Sequence, residues 1–217
     1  LLDVKRVDKP TFSKAQVIHM YEYGLRLSKS LGQRYQNCAE TILLSAFTGI
    51  SWSEYVQLKC CDIHLDAPVP YIQVGGRRDF TLKREVRKRQ VPLARDAEML
   101  IPILKRRMKD VDGSNDYYLF GDDWTTRYKS GIDQHRRIFE SITDDLNLTY
   151  DDRGEKRTPY CLRHSFCTWS LRDGKCIETT SQLMGHSNLT TTRRYLHLVL
   201  DDYVESMPAS TQLAKVI

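Results

Sequence analysis

Three side chains in the last third of this 217-residue chain have types and a spacing that suit phosphodiester cleavage. Arg163 precedes His186 by 23 residues, and Tyr195 follows nine residues after that. A tyrosine phenol can act as a nucleophile and form a covalent intermediate. An arginine stays protonated and binds two phosphate oxygens at once, and a histidine can donate a further hydrogen bond. Such a set stabilises a five-coordinate phosphorane without a metal ion or an organic cofactor.

Each of these residues also has a common structural role. A tyrosine in a helical segment is most often a half-buried packing residue. His186 follows Gly185, and histidines at helix ends are favoured by the helix dipole. Arg163 alone would most often be a surface ion-pair partner. It is the combined spacing, rather than any single residue, that favours a reactive site.

The motifs around these residues resemble those of the tyrosine recombinases, the phage-integrase type of enzyme. Residues 183–197 read Leu-Met-Gly-His-Ser-Asn-Leu-Thr-Thr-Thr-Arg-Arg-Tyr-Leu-His, similar to the family's Leu-Leu-Gly-His-Ser…Thr…Tyr-x-His. Residues 160–166, Tyr-Cys-Leu-Arg-His-Ser-Phe, are similar to its His-x-Leu-Arg-His-Thr-Phe. Residues 48–54, with Leu58 and Asp62, match Thr-Gly-x-Arg-x-x-Glu…Leu…Asp. Residues 81–83 and 91–93 resemble the β-hairpin that carries the family's catalytic lysine, so the resemblance extends over nearly the whole chain.

The resemblance implies a site-specific DNA recombinase that cleaves and rejoins DNA through a 3′-phosphotyrosyl intermediate. Tyr195 would be the nucleophile, and Arg163 and His186 would bind the phosphate. His164 would help to position the phosphate, and Lys83 would protonate the leaving 5′-oxygen. Other basic residues in the same loop compete with Lys83 for that role: Arg84, Arg87 and Lys88.

Two positions depart from the family pattern. Tyr160 stands at the first histidine of the His-x-x-Arg motif, where a phenol can still donate a hydrogen bond. Ser51 stands where the first arginine of the catalytic pair is expected. The loss of one preorganised donor to a transition state costs about 10²–10³ in rate, or roughly 3–4 kcal/mol. Ser51 is therefore the more serious departure.

Three explanations of Ser51 are open at this stage. The motif alignment is locally shifted, and Arg77 or Arg78 fills the vacant position from the hairpin. Alternatively, the protein is a naturally weakened recombinase. In the third case it has the recombinase fold and binds DNA in a regulatory or architectural role, without cutting it. Retention of Tyr195, His186, Arg163 and a candidate Lys83 favours an enzyme.

Two basic clusters could bind the phosphates of double-stranded DNA, the partner that the resemblance implies, and the net charge is +5. The first lies in residues 77–89 and the second at or near a predicted helix that begins at about residue 128. The candidate DNA-binding residues are Arg77, Arg78, Arg84, Arg87, Lys88, Arg127, Lys129, Arg136 and Arg137, with His135 beside the last two. The alternatives are a charged hairpin edge and a solvated helix face.

The apolar pattern predicts the elements that must hold these residues in place. Helices are expected from Thr11 or Ser13 to about 30, over 35–47, and briefly after Ser51 or Ser53. Short strands are expected at 62–65, 71–74 and 89–93. Further helices are expected over 96–109, 128–145, 161–173, 177–185 and 189–198. The predicted fold is mainly α-helical with a small three-stranded antiparallel β-sheet, an α+β domain with the tyrosine-recombinase catalytic fold.

The expected organisation is a linker remnant over 1–10, a catalytic domain over 11–200 and a tail over 201–217. The resemblance implies that a core-binding domain precedes the linker and that the assembly on DNA is a tetramer with tails exchanged in trans. The alternative for the tail is packing on its own core. We expect the isolated fragment to be monomeric and to bind DNA weakly.

The composition points to an intracellular protein and not to a membrane protein. No apolar run approaches the roughly 20 residues that span a bilayer. The six cysteines include no Cys-x-x-Cys pair, so buried reduced thiols are more plausible than a zinc site or a disulfide framework. The sequence predicts no metal site and a cytoplasmic location.

Overall fold

The computed structural model describes residues 9–82, 87–110, 116–121 and 132–196. The helices are α1 (Lys14–Leu31), α2 (Gln33–Thr48), α3 (Trp52–Tyr55), α4 (Leu100–Asp110), α5 (Ile132–Asp145), α6 (Tyr160–Arg172), α7 (Ile177–Met184) and α8 (Leu189–Arg193). The strands are β1 (Ile63–His64), β2 (Tyr71–Val74) and β3 (Arg89–Pro92). This architecture confirms the predicted mainly helical domain with a small sheet.

The N-terminal helical pair forms where local signals predict it. Ser13 caps α1 through a capping box with Gln16, in which each side chain bonds the other residue's backbone N–H. Gly32 follows the last residue of α1, as expected. The second helix starts at Gln33, two residues before the predicted start at Tyr35. Since nearly every residue of α2 from Asn37 onwards is buried, this helix is the centre of the fold.

The three strands form an antiparallel sheet in the order β1-β2-β3. Ile72 lies opposite Ile63 on one side and Val91 on the other, and all three side chains are buried. β1 is shorter than predicted, because residues Cys60–Asp62 form a 3₁₀ turn before it. Strand residues two positions apart share a face, so Arg89 lies on the same inward face as Val91.

The C-terminal half differs from the prediction at two places. A 3₁₀ segment, Arg95–Met99, precedes α4, so the predicted helix over 96–109 divides into two parts. The predicted helix over 189–198 is wrong in extent, because α8 ends at Arg193 and a turn follows at 194–195. The backbone N–H of Tyr195 bonds the carbonyl of Thr192, three residues back, which tightens this end of the helix.

Two clusters of apolar side chains form the interior. The larger one joins α1, α2, the sheet, α4 and α5. The smaller one lies among the last three described helices and contains Phe166, Cys167, Leu171, Met184 and Tyr195. All six cysteines are free thiols, and four of them are buried. Within the described ranges, no helix combines the length and apolar character that a membrane crossing requires.

Candidate active site

The centre of the site is one face of α6. Arg163 and His164 follow Tyr160 by three and four residues, so both lie beside Tyr160 on the surface of the helix. The Arg163 side chain is 2% exposed. Its Nη1 donates to the carbonyl of Gly49, and its Nη2 donates to the carbonyl of Met184. Arg163 therefore links the end of α2 to the end of α7.

One nitrogen of the Arg163 guanidinium is left without a hydrogen-bond partner in the described part of the chain. Its Nε is buried and has no hydrogen-bond partner among the described residues. Burial lowers the pKa of Arg163, but a guanidinium stays protonated at any pH that proteins tolerate. A buried donor without a partner costs free energy unless a ligand satisfies it.

A buried carboxylate lies between two guanidinium groups beside Ser51. Ser51 caps α3, and its N–H and its hydroxyl each donate to Glu54 Oε2 at 2.8 Å. Arg89 binds the same carboxylate in bidentate fashion, with Nη1–Oε1 2.8 Å and Nη2–Oε2 3.2 Å. Arg163 Nη1 lies 3.4 Å from Oε2. Burial alone would raise the pKa of Glu54, but the two arginines and Ser51 together hold it down at about 2.

Arg89 also fixes the loop that follows α7. Its Nε donates to the carbonyl of Leu183 at 2.6 Å. Gly185 ends α7 with φ +62°, and a Cβ there would lie 2.9 Å from Nη1 of Arg89. A glycine is therefore needed both for the left-handed backbone and for the close approach of the guanidinium. In consequence His186, the next residue, has a defined position.

The ring of His186 is held by a contact with Thr192. Its Nδ1 lies 2.8 Å from the hydroxyl of Thr192. Burial, reinforced by the positive charges of Arg163, Arg87 and Arg89, lowers the pKa of His186 to about 4. The ring is therefore neutral near pH 7, and when Thr192 donates to Nδ1 the ring proton is on Nε2.

Tyr195 is buried and its hydroxyl is engaged. The phenol oxygen and Nδ1 of His164 share a hydrogen bond, in which the phenol donates when the ring proton of His164 is on Nε2. The ring of Tyr160 packs edge-on against His164 at 4.8 Å between centroids. Burial raises the pKa of Tyr195 well above its ordinary value. Burial, with added repulsion from Lys9 and Arg163, lowers the pKa of His164 to about 4. A protonated phenol therefore faces a neutral imidazole.

A cavity of about 290 Å³ lies beside Ser51. Its lining includes Ser51, Trp52, Arg136, Tyr160 and Arg163. An arginine at position 51 would extend its side chain into this region. A larger cavity of about 560 Å³, near Lys14 and Trp169, contains none of the predicted site residues.

The structure brings six of the seven predicted catalytic residues together. These are Tyr195, Arg163, His186, Tyr160, His164 and Ser51, connected by the contacts above. The seventh, Lys83, lies outside the described residues, as do Arg84, Arg127 and Lys129 among the predicted DNA-binding residues. Arg78, Lys88, Arg136 and Arg137 are exposed, and Arg87 is half-buried.

Arg77 is engaged away from Ser51. Its Nε donates to Asp62 at 2.9 Å, its Nη1 donates to Asp79 at 2.9 Å, and its Nη2 donates to the carbonyl of Gln57. These bonds tie the hairpin to the segment before β1. They leave Arg77 a poor candidate for the position that Ser51 leaves vacant.

Sequence reasoning did not assign Glu54, Arg89 or Thr192 to the site. Glu54 stands three residues after Ser51, and this capping-box spacing was a usable signal. Arg89 stands two residues before Val91 in a strand, so the alternation of faces could have placed it inward. No short-range signal connects Thr192 to His186, since their contact depends on the turn between α7 and α8.

A comparison with known families identifies the family of this chain. The model of the phage integrase family matches residues 14–200. The chain belongs to the phage integrase family. Within this match lie all six of the assembled side chains and the three motifs that carry them.

Relatives of the chain carry the names of recombinases and of a transposase. It is 26% identical over 175 residues to the tyrosine recombinase XerD of Listeria innocua, covering 79% of this chain and 52% of XerD. It is 31% identical over 158 residues to a tyrosine recombinase of Thermosipho africanus, covering 72% and 48%. It is 24% identical over 214 residues to the transposase from transposon Tn916 of Enterococcus faecalis, covering 93% and 52%. The chain thus spans about half the length of these relatives.

Solved structures of the family have the same fold. The XerA recombinase matches with a TM-score of 0.64 at 23% identity, covering 93% of this chain and 67% of XerA. XerH, in a post-cleavage complex with palindromic difH substrate, matches with a TM-score of 0.68 at 20% identity, covering 90% and 52%. The catalytic domain of bacteriophage HP1 integrase matches with a TM-score of 0.53 at 16% identity, covering 94% and 98%.

Proposed function

We propose that this chain is the catalytic part of a site-specific DNA recombinase that cleaves DNA through Tyr195. The observation that carries the proposal is the hydrogen bond between the Tyr195 hydroxyl and Nδ1 of His164, the residue next to Arg163 on α6. This contact supports a site in which Tyr195 is the nucleophile, His164 accepts its proton and Arg163 binds the phosphate. Membership of the phage integrase family supports the same chemistry.

The proposed cleavage step transfers the DNA phosphate from a 5′-oxygen to Tyr195. Tyr195 Oη attacks the phosphorus of a DNA phosphodiester, and its proton passes to Nδ1 of His164. The bond from phosphorus to the 5′-oxygen breaks, leaving DNA joined to Tyr195 by a 3′-phosphotyrosyl bond. The 5′-oxygen takes a proton from a general acid, which the resemblance assigns to Lys83. Because the phosphotyrosyl bond keeps the energy of the broken bond, a 5′-hydroxyl can reverse the step and rejoin DNA.

The surrounding residues suit the charge that develops on the phosphate. Arg163 contributes a buried positive charge and an Nε without a partner among the described residues. His186 contributes a neutral Nε2 donor. Donors fixed in advance stabilise a transition state without the cost of reorganising water. A bound phosphate also brings negative charge next to His164, which favours protonation of its ring as Tyr195 attacks.

The test is covalent capture on a nicked suicide substrate that carries the protein's own core site. The full-length protein should form a DNA adduct that survives denaturation in detergent. Tyr195→Phe should form no adduct and should still bind the same DNA. If the wild-type protein forms no adduct while binding tightly, the enzyme proposal is wrong, and the non-cleaving DNA-binding protein stands in its place. The specific observation that favours this second function, DNA binding without cleavage, is Ser51 at the position of an expected arginine.

The family resemblance also supports an assembly on DNA. We propose that the protein binds double-stranded DNA inside the cell as a tetramer, and that residues 1–10 and 201–217 act as a linker and as a tail that docks in trans. Both of these segments lie almost wholly outside the described residues. Sedimentation of the fragment alone should give a monomer, and a stable tetramer without DNA would contradict this expectation.

A further inference from the structure

Ser51 leaves the site short of positive charge. Glu54 lies between Arg89 and Arg163, so one carboxylate balances one of the two guanidinium groups and a single positive charge remains. A phosphorane with two unesterified oxygens carries two negative charges. A second unbalanced cation is therefore expected to contribute to the transition state.

Two hairpin arginines are already committed elsewhere. Arg89 is bidentate to Glu54, its Nε is on the carbonyl of Leu183, and its side chain is 7% exposed. Arg77 binds Asp62 and Asp79. To reach a phosphate, either side chain would have to leave a carboxylate that is buried or shared. Arg89 is thus better described as a positioning residue for Glu54 and the loop before His186.

The cavity beside Ser51 carries another arginine in its wall. Arg136 lines it together with Ser51 and Arg163. Arg163 also has a buried Nε without a partner in the described part of the chain, so the cavity wall includes a side chain with an unsatisfied donor. A volume of about 290 Å³ is ample for a phosphate group and an entering side chain.

The neighbour of Arg136 explains why it lies there. His135 is buried, its Nε2 lies 3.1 Å from the hydroxyl of Tyr55, and its ring lies 4.1 Å from that of Trp52. These contacts anchor α5 against α3, the helix that Ser51 caps. The next residue, Arg136, is therefore held at the cavity while its own side chain remains 57% exposed.

Arg136 is held only loosely in its present position. Its Nε lies 3.3 Å from Glu140 Oε1, one turn along the same helix, and Lys156 binds that same oxygen at 3.1 Å. Exposed pairs of this kind are weak, and Glu140 keeps a partner when Arg136 leaves. The guanidinium can therefore turn from Glu140 towards a phosphate at little cost.

We propose that Arg136 supplies the second catalytic guanidinium of this site, in place of the arginine absent at Ser51. It binds a non-bridging oxygen of the scissile phosphate from the cavity side, opposite the carbonyl-bound edge of Arg163. This proposal rests on the proposed function for its chemistry, but the phosphate-binding part stands without it.

The first measurement is the rate of adduct formation at saturating DNA with the full-length protein. Arg136→Ala should lower this rate by about 10²-fold. Arg136→Lys should recover only part of the lost rate, because a lysine lacks the forked guanidinium that binds two phosphate oxygens. Arg26→Ala, an exposed arginine on α1, is the matched control and should keep the wild-type rate. An unchanged rate in Arg136→Ala, in a protein that cleaves normally, overturns the proposal and leaves the proposed function intact.

The second measurement restores the missing arginine. In the Ser51→Arg background, Arg136→Ala should cost less than about fivefold, because both guanidinium groups would serve the same oxygens. A merely structural role for Arg136 predicts the same loss in both backgrounds. That result would overturn the proposal.

The third measurement tests phosphate binding without any DNA cleavage. Titration with inorganic phosphate can be followed by the fluorescence of Trp52, which lines the cavity, with Trp52→Phe identifying its signal. Arg136→Ala should weaken phosphate binding about tenfold or more. If the wild-type protein never forms an adduct, the proposed function fails, and this titration still decides on Arg136. Equal phosphate affinity in the wild-type protein and in Arg136→Ala would refute the proposal that Arg136 binds phosphate in this cavity.

Discussion

Replacing Glu54 by glutamine tests whether the buried carboxylate holds the two arginines of the site together. The variant keeps the size and one acceptor of the side chain but removes its charge. Arg89 and Arg163 would then lie close together without an anion between them. Breaking one partner of a buried ion pair typically costs about 3–5 kcal/mol, because a charge is left buried and unpaired.

The pKa of Glu54 gives an independent magnitude. Its fall from 4.5 to about 2 corresponds to about 3 kcal/mol of stability at neutral pH, at roughly 1.4 kcal/mol for each pKa unit. Because the folded-state pKa is the lower one, this contribution is present above pH 4.5 and is lost as the pH falls towards 2. At pH 3 about 1.4 kcal/mol of it should remain.

The assay is urea unfolding of both proteins at pH 7, 5 and 3, followed by far-ultraviolet circular dichroism. Glu54→Gln should lower the free energy of unfolding by about 3–5 kcal/mol at pH 7, and the difference from wild type should shrink to less than half at pH 3. Glu22→Gln, an exposed position on α1, should change it by less than about 0.5 kcal/mol. A Glu54→Gln loss below about 1 kcal/mol, or one that is equal at pH 7 and pH 3, would refute the reasoning.

Two further predictions concern proton transfer and backbone strain. His164→Ala should slow adduct formation by about 10²–10⁴-fold. Since the pKa of His164 is about 4 in the free protein, the wild-type second-order rate at subsaturating DNA should not fall between pH 7 and pH 6, and a fall there would contradict its role as base. Gly49→Ala should destabilise the fold by more than Gly154→Ala, as thermal unfolding would measure. Both glycines have positive φ, but a Cβ at Gly49 would lie 2.5 Å from Phe166, whereas Gly154 has open space. Equal losses would show that backbone conformation alone sets the cost, at about 1–2 kcal/mol.

Most helices and strands were predictable because their signals are local. The capping box at Ser13 and the glycine after α1 act within four residues, and the alternation in β2 and β3 acts within two. The extent of α8 was not predictable in this way. Three consecutive threonines weaken it, and the bond of Tyr195 to His164 fixes a turn where the motif alone favoured a longer helix.

The candidate site was likewise predictable only in part from the sequence. The spacing of Arg163, His186 and Tyr195 predicted which side chains would form it, because the family's motifs keep these residue types at fixed separations. The residue type at position 51 also predicted that a positive charge would be missing. These conclusions need no coordinates.

Only the tertiary structure decided which groups these side chains meet. His164 shares a hydrogen bond with a phenol 31 residues away, and Arg89 binds a carboxylate 35 residues away. The packing of His135 against α3 puts Arg136, instead of Arg77, beside Ser51. Such contacts join segments that lie far apart in sequence, so their partners are set by how helices and strands pack, and no local pattern encodes them.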